Sequence, residues 1–235
     1  SLSLLAKNAL LTDTPLQKAF LPLNLVAKSH LKDFSIPLED QERETKKLCH
    51  KLRIQFKKYN WHEDPCGEVA WQAKWKTKNS NPLIYATFGS GPNTTLFLSG
   101  VHPDEITPIH LAFRFARYLQ SPALKKIKKN FRIIIAPLIN PEAFLGKSLL
   151  RTNGSVDLNR NFLTLDWYEK AHLRWKREKS SRKRYFPGHF PNSEIESIFQ
   201  MALVDQYKPH KIFSVHAPLG FLDYDGPREI KPLAR

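Results

Sequence analysis

His102 and Glu105 stand three residues apart in His102-Pro103-Asp104-Glu105, and His216 closes the run Lys211-Ile212-Phe213-Ser214-Val215-His216. Two imidazoles and one carboxylate form a standard ligand set for catalytic zinc, which leaves a fourth position open for water or substrate. Each piece alone is ordinary. Chance His-x-x-Glu pairs are common, and a histidine at a strand end usually serves the structure. Between them lies Val156-Asp157-Leu158-Asn159-Arg160-Asn161-Phe162. Asn159 offers an amide donor and Arg160 a guanidinium fork, a pair that suits the planar carboxylate at a peptide's C-terminus. A polar turn explains one Asn or one Arg. It does not explain Asp-x-Asn-Arg-Asn placed after Asn140-Pro141 and before a histidine-tipped apolar run.

These residues need strands and helices to position them. Residues 83–88 and 95–98 read as strands separated by the turn residues Gly89-Ser90-Gly91-Pro92. Residues 104–119 repeat apolar side chains at Ile109, Ala112, Phe113 and Ala116, the period of a helix lying on a sheet. Residues 132–139 form a nearly continuous apolar run, as in a central strand covered on both faces. Ser193 followed by Glu196 predicts a capping-box helix running to about Tyr207, and residues 211–215 predict a further buried strand. Strands alternating with helices predict an α/β fold with a mixed, mainly parallel central sheet and helices on both faces. Ligand sites in such sheets lie beyond the carboxyl ends of the strands, where His102 and His216 both fall. Residues 1–65 show little strand character. Within them Leu48, Leu52, Phe56 and Tyr59 recur at helical spacing over 41–59, so this part is expected to be a mostly helical N-terminal extension packed on a domain spanning 66–235.

With 235 residues, 41% hydrophobic and 25% charged, the chain can bury a sizeable core, and no apolar run approaches the ~20 residues of a membrane span. The opening Ser1-Leu2-Ser3-Leu4-Leu5 lacks a basic segment and reads as a processed or engineered start rather than an intact signal peptide. The net charge is +15, a field that attracts polyanions. Its densest block, residues 170–184, reads either as a solvated helix face or as an anion-steering surface, and carries no nucleic-acid motif. Cys49 and Cys66 do not form a Cys-x-x-Cys pair, so neither cysteine-bound zinc nor redox chemistry is expected of them. A bridge between them would imply an oxidising compartment, and free thiols are the alternative.

The heptapeptide, together with His-x-x-Glu upstream and His216 downstream, resembles the zinc metallocarboxypeptidase family over residues 66–235. The stretch Arg151-Thr152-Asn153-Gly154-Ser155 ahead of the heptapeptide, Asp166-Trp167 after it, Tyr185-Phe186-Pro187-Gly188, Pro191-Asn192-Ser193-Glu194 and His216-Ala217-Pro218-Leu219-Gly220 resemble its bacterial murein peptide amidase and cell-wall DL-carboxypeptidase branch. The resemblance implies Zn2+ held by His102, Glu105 and His216. It implies that Asn159 and Arg160 hold the substrate's terminal carboxylate and that Arg151 polarises the scissile carbonyl. Asp157 would orient a zinc-bound histidine, His102. The implied function is hydrolysis of peptidoglycan-derived peptides, in the periplasm or cell envelope, with the cytoplasm as the alternative.

Two positions depart from the family pattern. Asp104 occupies a place where digestive carboxypeptidases carry Arg. It suits the murein branch, where it could meet a substrate amine such as that of diaminopimelate, and it reads equally as a helix-start residue favoured by the helix dipole. Such enzymes also use a general-base Glu some tens of residues beyond the third ligand. After His216 the only carboxylates are Asp223, Asp225 and Glu229, none in the family's context. The expectation is that the base lies on a C-terminal part beyond this chain. The rival readings are a site completed by a second polypeptide, a wall-peptide-binding protein that does not cut, and a deacylase of the aspartoacylase type.

Overall fold

The computed structural model describes residues 29–124, 127–146, 156–178, 180–218 and 220. Helix α1 (Leu38–Lys57) precedes strands β1 (Gln72–Lys76), β2 (Pro82–Phe88) and β3 (Asn93–Leu98). Helix α2 (Ile106–Leu119), strand β4 (Phe131–Ala136) and the short helix α3 (Pro141–Leu145) follow. The chain then passes through α4 (Arg174–Glu178) and α5 (Ile195–Tyr207) to strand β5 (Lys211–Ser214).

The five strands form one sheet in the order β1-β2-β4-β3-β5. The half that carries the ligand candidates is parallel, with β3 paired to β4 and to β5. The other half is antiparallel, β1 on β2 and β2 on β4, which makes the sheet mixed. Alternation along the strands sends side chains to two helical layers. Leu83, Tyr85, Leu96, Leu98, Ile134 and Ala136 share one core cluster with Ile195, Ile198 and Phe199 of α5. On the opposite face Ile84 packs with Ile109 and Phe113 of α2, and Ala86 and Ile135 pack with its Ala112 and Ala116. The two-sided burial of β2 and β4 is what their unbroken apolar runs require.

Helix α1 starts three residues before the 41–59 periodicity and ends two residues short of it, and its apolar stripe packs on the sheet and α2. Leu48, Leu52 and Phe56 are buried in one cluster with Ala73, Ile84, Phe113 and Phe144. Burying each such side chain contributes about 1.5–3 kcal/mol. The surface pairs Lys46–Glu42 and Lys47–Glu44 are screened by solvent and add little, so the apolar stripe holds the helix. Strand β1, which sequence periodicity did not reveal, is paired on its outer side as well. Ile36 N–H donates to the Lys74 carbonyl, and Lys76 N–H to that of Phe34.

Cys49 of α1 and Cys66 form a disulfide with a Cα–Cα distance of 5.8 Å, closing the loop that leads from helix to sheet. Bridges over separations of this size restrict the unfolded chain by about 3 kcal/mol. The double variant Cys49→Ala, Cys66→Ala is therefore expected to lose roughly that much unfolding free energy in a urea titration. An unchanged midpoint would mean that the bridge contributes nothing.

Four local expectations are corrected. Strand β5 forms, but its side chains alternate between exposed and half-buried rather than buried, because among the described residues it pairs with β3 alone. The apolar run 132–139 is a strand only to Ala136, because the backbone then turns to pair Ile139 N–H with the Ser99 carbonyl and Asn140 N–H with that of Gly100. The capping box before α5 does not form, since the N-cap is Glu194 and the Ser193 hydroxyl is engaged with Asn161 and Glu194 instead. The basic block is not one helix face. It is split between a π-helical turn (Tyr168–Leu173), α4 and a short 3-10 turn (Lys183–Tyr185).

Glu196, in the first turn of α5, is fully buried. Burial pushes its carboxyl up to about 7, and the charges of Glu194 and Glu142 add to the shift while Lys78 opposes it. A carboxyl whose folded value is raised costs nothing below its unfolded value near 4.5 and costs progressively more as pH climbs to about 7. Stability should thus fall by on the order of 3 kcal/mol across that window. Denaturant melts at several pH values check it, because Glu196→Gln should remove this part of the slope; an identical slope in that variant would assign the dependence elsewhere.

Candidate metal centre

Strands β3 and β5 are parallel neighbours, and their carboxyl ends deliver the two histidines. After β3, Gly100 adopts φ +65° and passes so close to Leu138 that a Cβ would lie 2.9 Å from the Leu138 side chain. A residue with a side chain would force this corner open and displace His102 two positions on. The ladder between β3 and β5 continues one step past β5, with Val215 N–H donating to the Leu98 carbonyl, and this fixes His216 beside the turn that carries His102. Glu105 is the N-cap of α2, one position ahead of the first helical turn where sequence reasoning expected it.

The three side chains converge. His102 Nδ1 lies 3.1 Å from Glu105 Oε1 and 3.2 Å from His216 Nδ1, and His216 Nδ1 lies 2.9 Å from Glu105 Oε2. Ligand atoms at 2.0–2.1 Å from a tetrahedral zinc sit about 3.3 Å apart, so these separations suit that ion. The donor set fits as well. Two nitrogens and a carboxylate oxygen face one point, and both imidazoles turn Nδ1 inward while Nε2 is occupied behind. His102 Nε2 meets Asp157 Oδ1 at 2.9 Å, and His216 Nε2 meets Ser214 Oγ at 3.1 Å. His102 and Asp157 are buried, which keeps this backing from exchanging with solvent. Burial works to raise the Glu105 carboxyl, but His102, His216 and the backbone N–H of Ala217 outweigh it and hold the group well below the usual carboxylate range.

Asp157 also reaches in the other direction. Its Oδ2 accepts from the guanidinium of Arg160, and its Oδ1 accepts from the backbone N–H of Asn159 at 3.1 Å. One buried carboxylate therefore ties the candidate metal ligand His102 to the candidate carboxylate-binding pair. Arg160 also lies over the Tyr185 ring, its Cζ 5.2 Å from the centroid, and Arg184 Cζ lies 5.4 Å from the same centroid. Asp104 is exposed at the turn between the two ligands, 3.9 Å from Arg184. Arg151 lies outside the described residues, as do Asp223, Asp225 and Glu229.

The comparisons agree with this geometry. A family model described as zinc carboxypeptidase matches residues 74–218. The chain belongs to the zinc carboxypeptidase family. That family is zinc-dependent, so zinc is the cofactor, and His102, Glu105 and His216 form a group able to hold it. Among solved structures, bovine thrombin-activatable fibrinolysis inhibitor in complex with a tick carboxypeptidase inhibitor is 18% identical with a TM-score of 0.52, covering 71% of this chain and 57% of its own. Carboxypeptidase A of Helicoverpa armigera is 18% identical with a TM-score of 0.51, over 72% and 44%. The murein-tripeptide amidase of Escherichia coli O157 is 24% identical with a TM-score of 0.46, over 66% and 65%. The first two share the zinc carboxypeptidase fold, and this chain spans about half of their length. Among curated proteins, none matches the chain.

Sequence reasoning missed two supporting residues. Ser214 could have been found, since it stands two positions before His216 on the same side of an extended segment. Asn161 was visible only as part of a motif. Its buried amide donates to the Pro187 and Phe190 carbonyls and to Ser193 Oγ, while its Oδ1 accepts from Glu194 N–H. Gly188, at φ +96°, allows this approach, because a Cβ there would lie 2.6 Å from Asn161 Nδ2.

Proposed function

We propose that this protein is a zinc peptidase acting at the C-terminal end of peptidoglycan-derived peptides, on a residue of the diaminopimelate type. The observation that carries the reading is the single buried carboxylate of Asp157 joined to His102 on one side and Arg160 on the other. A metal ligand and a carboxylate anchor held at one fixed separation are what an enzyme needs to place a peptide's last bond against its metal.

In this reading His102, Glu105 and His216 hold the zinc, which when bound supplies Lewis-acid polarisation of the carbonyl and a more acidic water. Asp157 keeps the His102 ring in one orientation with Nδ1 turned inward. Asn159 and Arg160 bind the terminal carboxylate, and the role of stabilising the developing oxyanion falls to Arg151 by its place in the motif. Asp104 attracts an amine on the substrate, with Arg184 as its resting counter-ion. The murein assignment is supported by the sequence around the heptapeptide and by Asp104. The disulfide between α1 and the loop before β1 supports an oxidising compartment such as the periplasm or cell envelope.

The test uses the full-length natural protein loaded with zinc and a muramyl-type tripeptide ending in diaminopimelate. Mass spectrometry should show release of the terminal residue, or cleavage before it, with the reaction stopped by a chelator and restored by zinc. Cleavage of N-acetylated amino acids with the tripeptide left intact would replace this reading with a deacylase.

A further inference from the structure

Between the motif and α5, residues 163–192 open large apolar side chains to water. Leu165, Tyr168 and Phe190 are 71%, 58% and 56% exposed. Leu165 and Phe190 flank one junction, because Leu163 N–H donates to Asn192 Oδ1 and Asn192 N–H donates to the Asn161 carbonyl. Apolar side chains gathered at one place and left in water mark a contact surface.

A row of rings continues from that junction across the segment. Tyr168 neighbours His172, His172 neighbours Trp175, Trp175 neighbours Phe186 and Phe186 neighbours His189, with centroids 5.5, 6.0, 4.7 and 5.1 Å apart. None of these five belongs to a core cluster, so the row does not serve to hold the sheet and helices together. The Trp175 indole N–H donates to the Arg182 carbonyl at 2.8 Å and ties the outgoing half of the segment to its returning half. The ledge is therefore fixed before any partner arrives.

Positive charge is laid along the same ledge. From Tyr168 to Phe190 the sequence carries eight Lys or Arg against two Glu. Lys170 and Arg174 are answered nearby, by Asp166 and Glu178. Lys176, Arg177, Arg182 and Lys183 are exposed and have no carboxylate partner among the described residues.

We infer that this ledge docks the protein on an anionic lipid surface, with Leu165, Tyr168 and Phe190 entering the headgroup boundary and the four unanswered cations facing lipid phosphates. Apolar side chains beside Lys and Arg are the combination that such a boundary accepts. A hydrated acidic polymer would satisfy the cations but leave Leu165 and Phe190 in water. An apolar protein partner would cover those two but strand the charges. No described helix is long and apolar enough to cross a membrane, and a ledge of this kind lies on the surface. It is also bonded to the motif at both ends, through the Trp167 indole N–H on the Arg160 carbonyl and Asp157 N–H on the Phe186 carbonyl. Docking thereby sets how far the metal centre stands from the lipid.

This docking does not depend on the peptidase reading and is measured without activity. The zinc-loaded full-length protein is sedimented with vesicles of mixed phosphatidylglycerol and phosphatidylcholine, and with vesicles of phosphatidylcholine alone. The mixed vesicles should bind it about 100-fold more tightly at low salt, with the advantage shrinking as salt is raised. Replacing Lys176, Arg177, Arg182 and Lys183 together with Ala should remove that advantage, at roughly fivefold per cation. Replacing four exposed cations elsewhere, Lys32, Lys57, Lys129 and Lys211, should cost less than about fivefold in total. The variant Leu165→Ser, Phe190→Ser should lose on the order of tenfold. All three variants should keep their zinc and their melting temperature. Equal losses in the two charge variants would trace binding to the net charge of +15 and overturn the ledge. Unchanged binding in the Leu165, Phe190 variant, or sedimentation with purified wall polymer that vesicles do not displace, would replace the lipid with an acidic polymer. Failure to bind vesicles at all overturns the docking and leaves the zinc and peptide predictions standing.

Discussion

His216→Ala is expected to strip the protein of zinc. The parent should carry about one ion per chain, whereas the variant should bind it more than ~100-fold more weakly, beyond the upper end of what loss of an outer partner does. The reason is geometric. His216 Nδ1 sits within 3.2 Å of His102 Nδ1 and 2.9 Å of Glu105, so its removal takes away one corner of the site. The fold should survive, because His216 is half-buried at the end of β5 and lies outside the core clusters. Ser214→Ala provides the graded control. It removes only the hydroxyl behind Nε2, so a loss of about 10–100-fold is expected while the ion is still bound at stoichiometry under excess zinc. Plasma emission spectrometry on dialysed protein reads both. Stoichiometric zinc in a variant lacking both His102 and Glu105 would refute the assignment of the centre.

Arg160→Ala should cost about 2–4 kcal/mol in the binding of peptides with a free C-terminus, the scale on which a paired charge loses its partner in a partly desolvated site. That is roughly 30-fold to 1,000-fold in the dissociation constant. The guanidinium is preset for the task, placed over the Tyr185 ring and bonded to Asp157, so little ordering is needed when the carboxylate arrives. A C-terminally amidated peptide should bind the parent poorly and the variant no worse. Arg160→Lys should restore part of the affinity, since it returns the charge without the planar fork. Zinc content should stay at parent level in both variants. Equal affinity of the parent for the acid and amide forms would count against this anchor.

The metal group was legible in the sequence because His102, Glu105 and His216, ordinary one by one, stand in the order of a known family, and the structure brings the three together. Apolar periodicity likewise placed α1, α2, β2 and β5 to within a few residues. What escaped was the part decided by tertiary contact. Strand β1 reads Gln72-Ala73-Lys74-Trp75-Lys76, too polar to stand out alone, and becomes a strand because β2 and residues 34–36 pair with it on either side. The capping box failed because Asn161, distant in sequence, claims Ser193 first.

The bonds around Asn161 have an evolutionary consequence. Asp157 N–H donates to the Phe186 carbonyl, Asn192 N–H to that of Asn161, and Leu163 N–H to the Asn192 side chain, so the chain leaving the motif after residue 162 and the chain returning at 186 are clasped at one place. Everything in between is an excursion with fixed ends. Lengthening such an excursion costs little, since closure entropy grows only slowly with its size. The protein thereby separates what must not drift from what can be rewritten. The clasp holds the motif in place, while the excursion, with its tryptophans and cations, is a surface segment that can change in length or sequence without moving the residues it departs from.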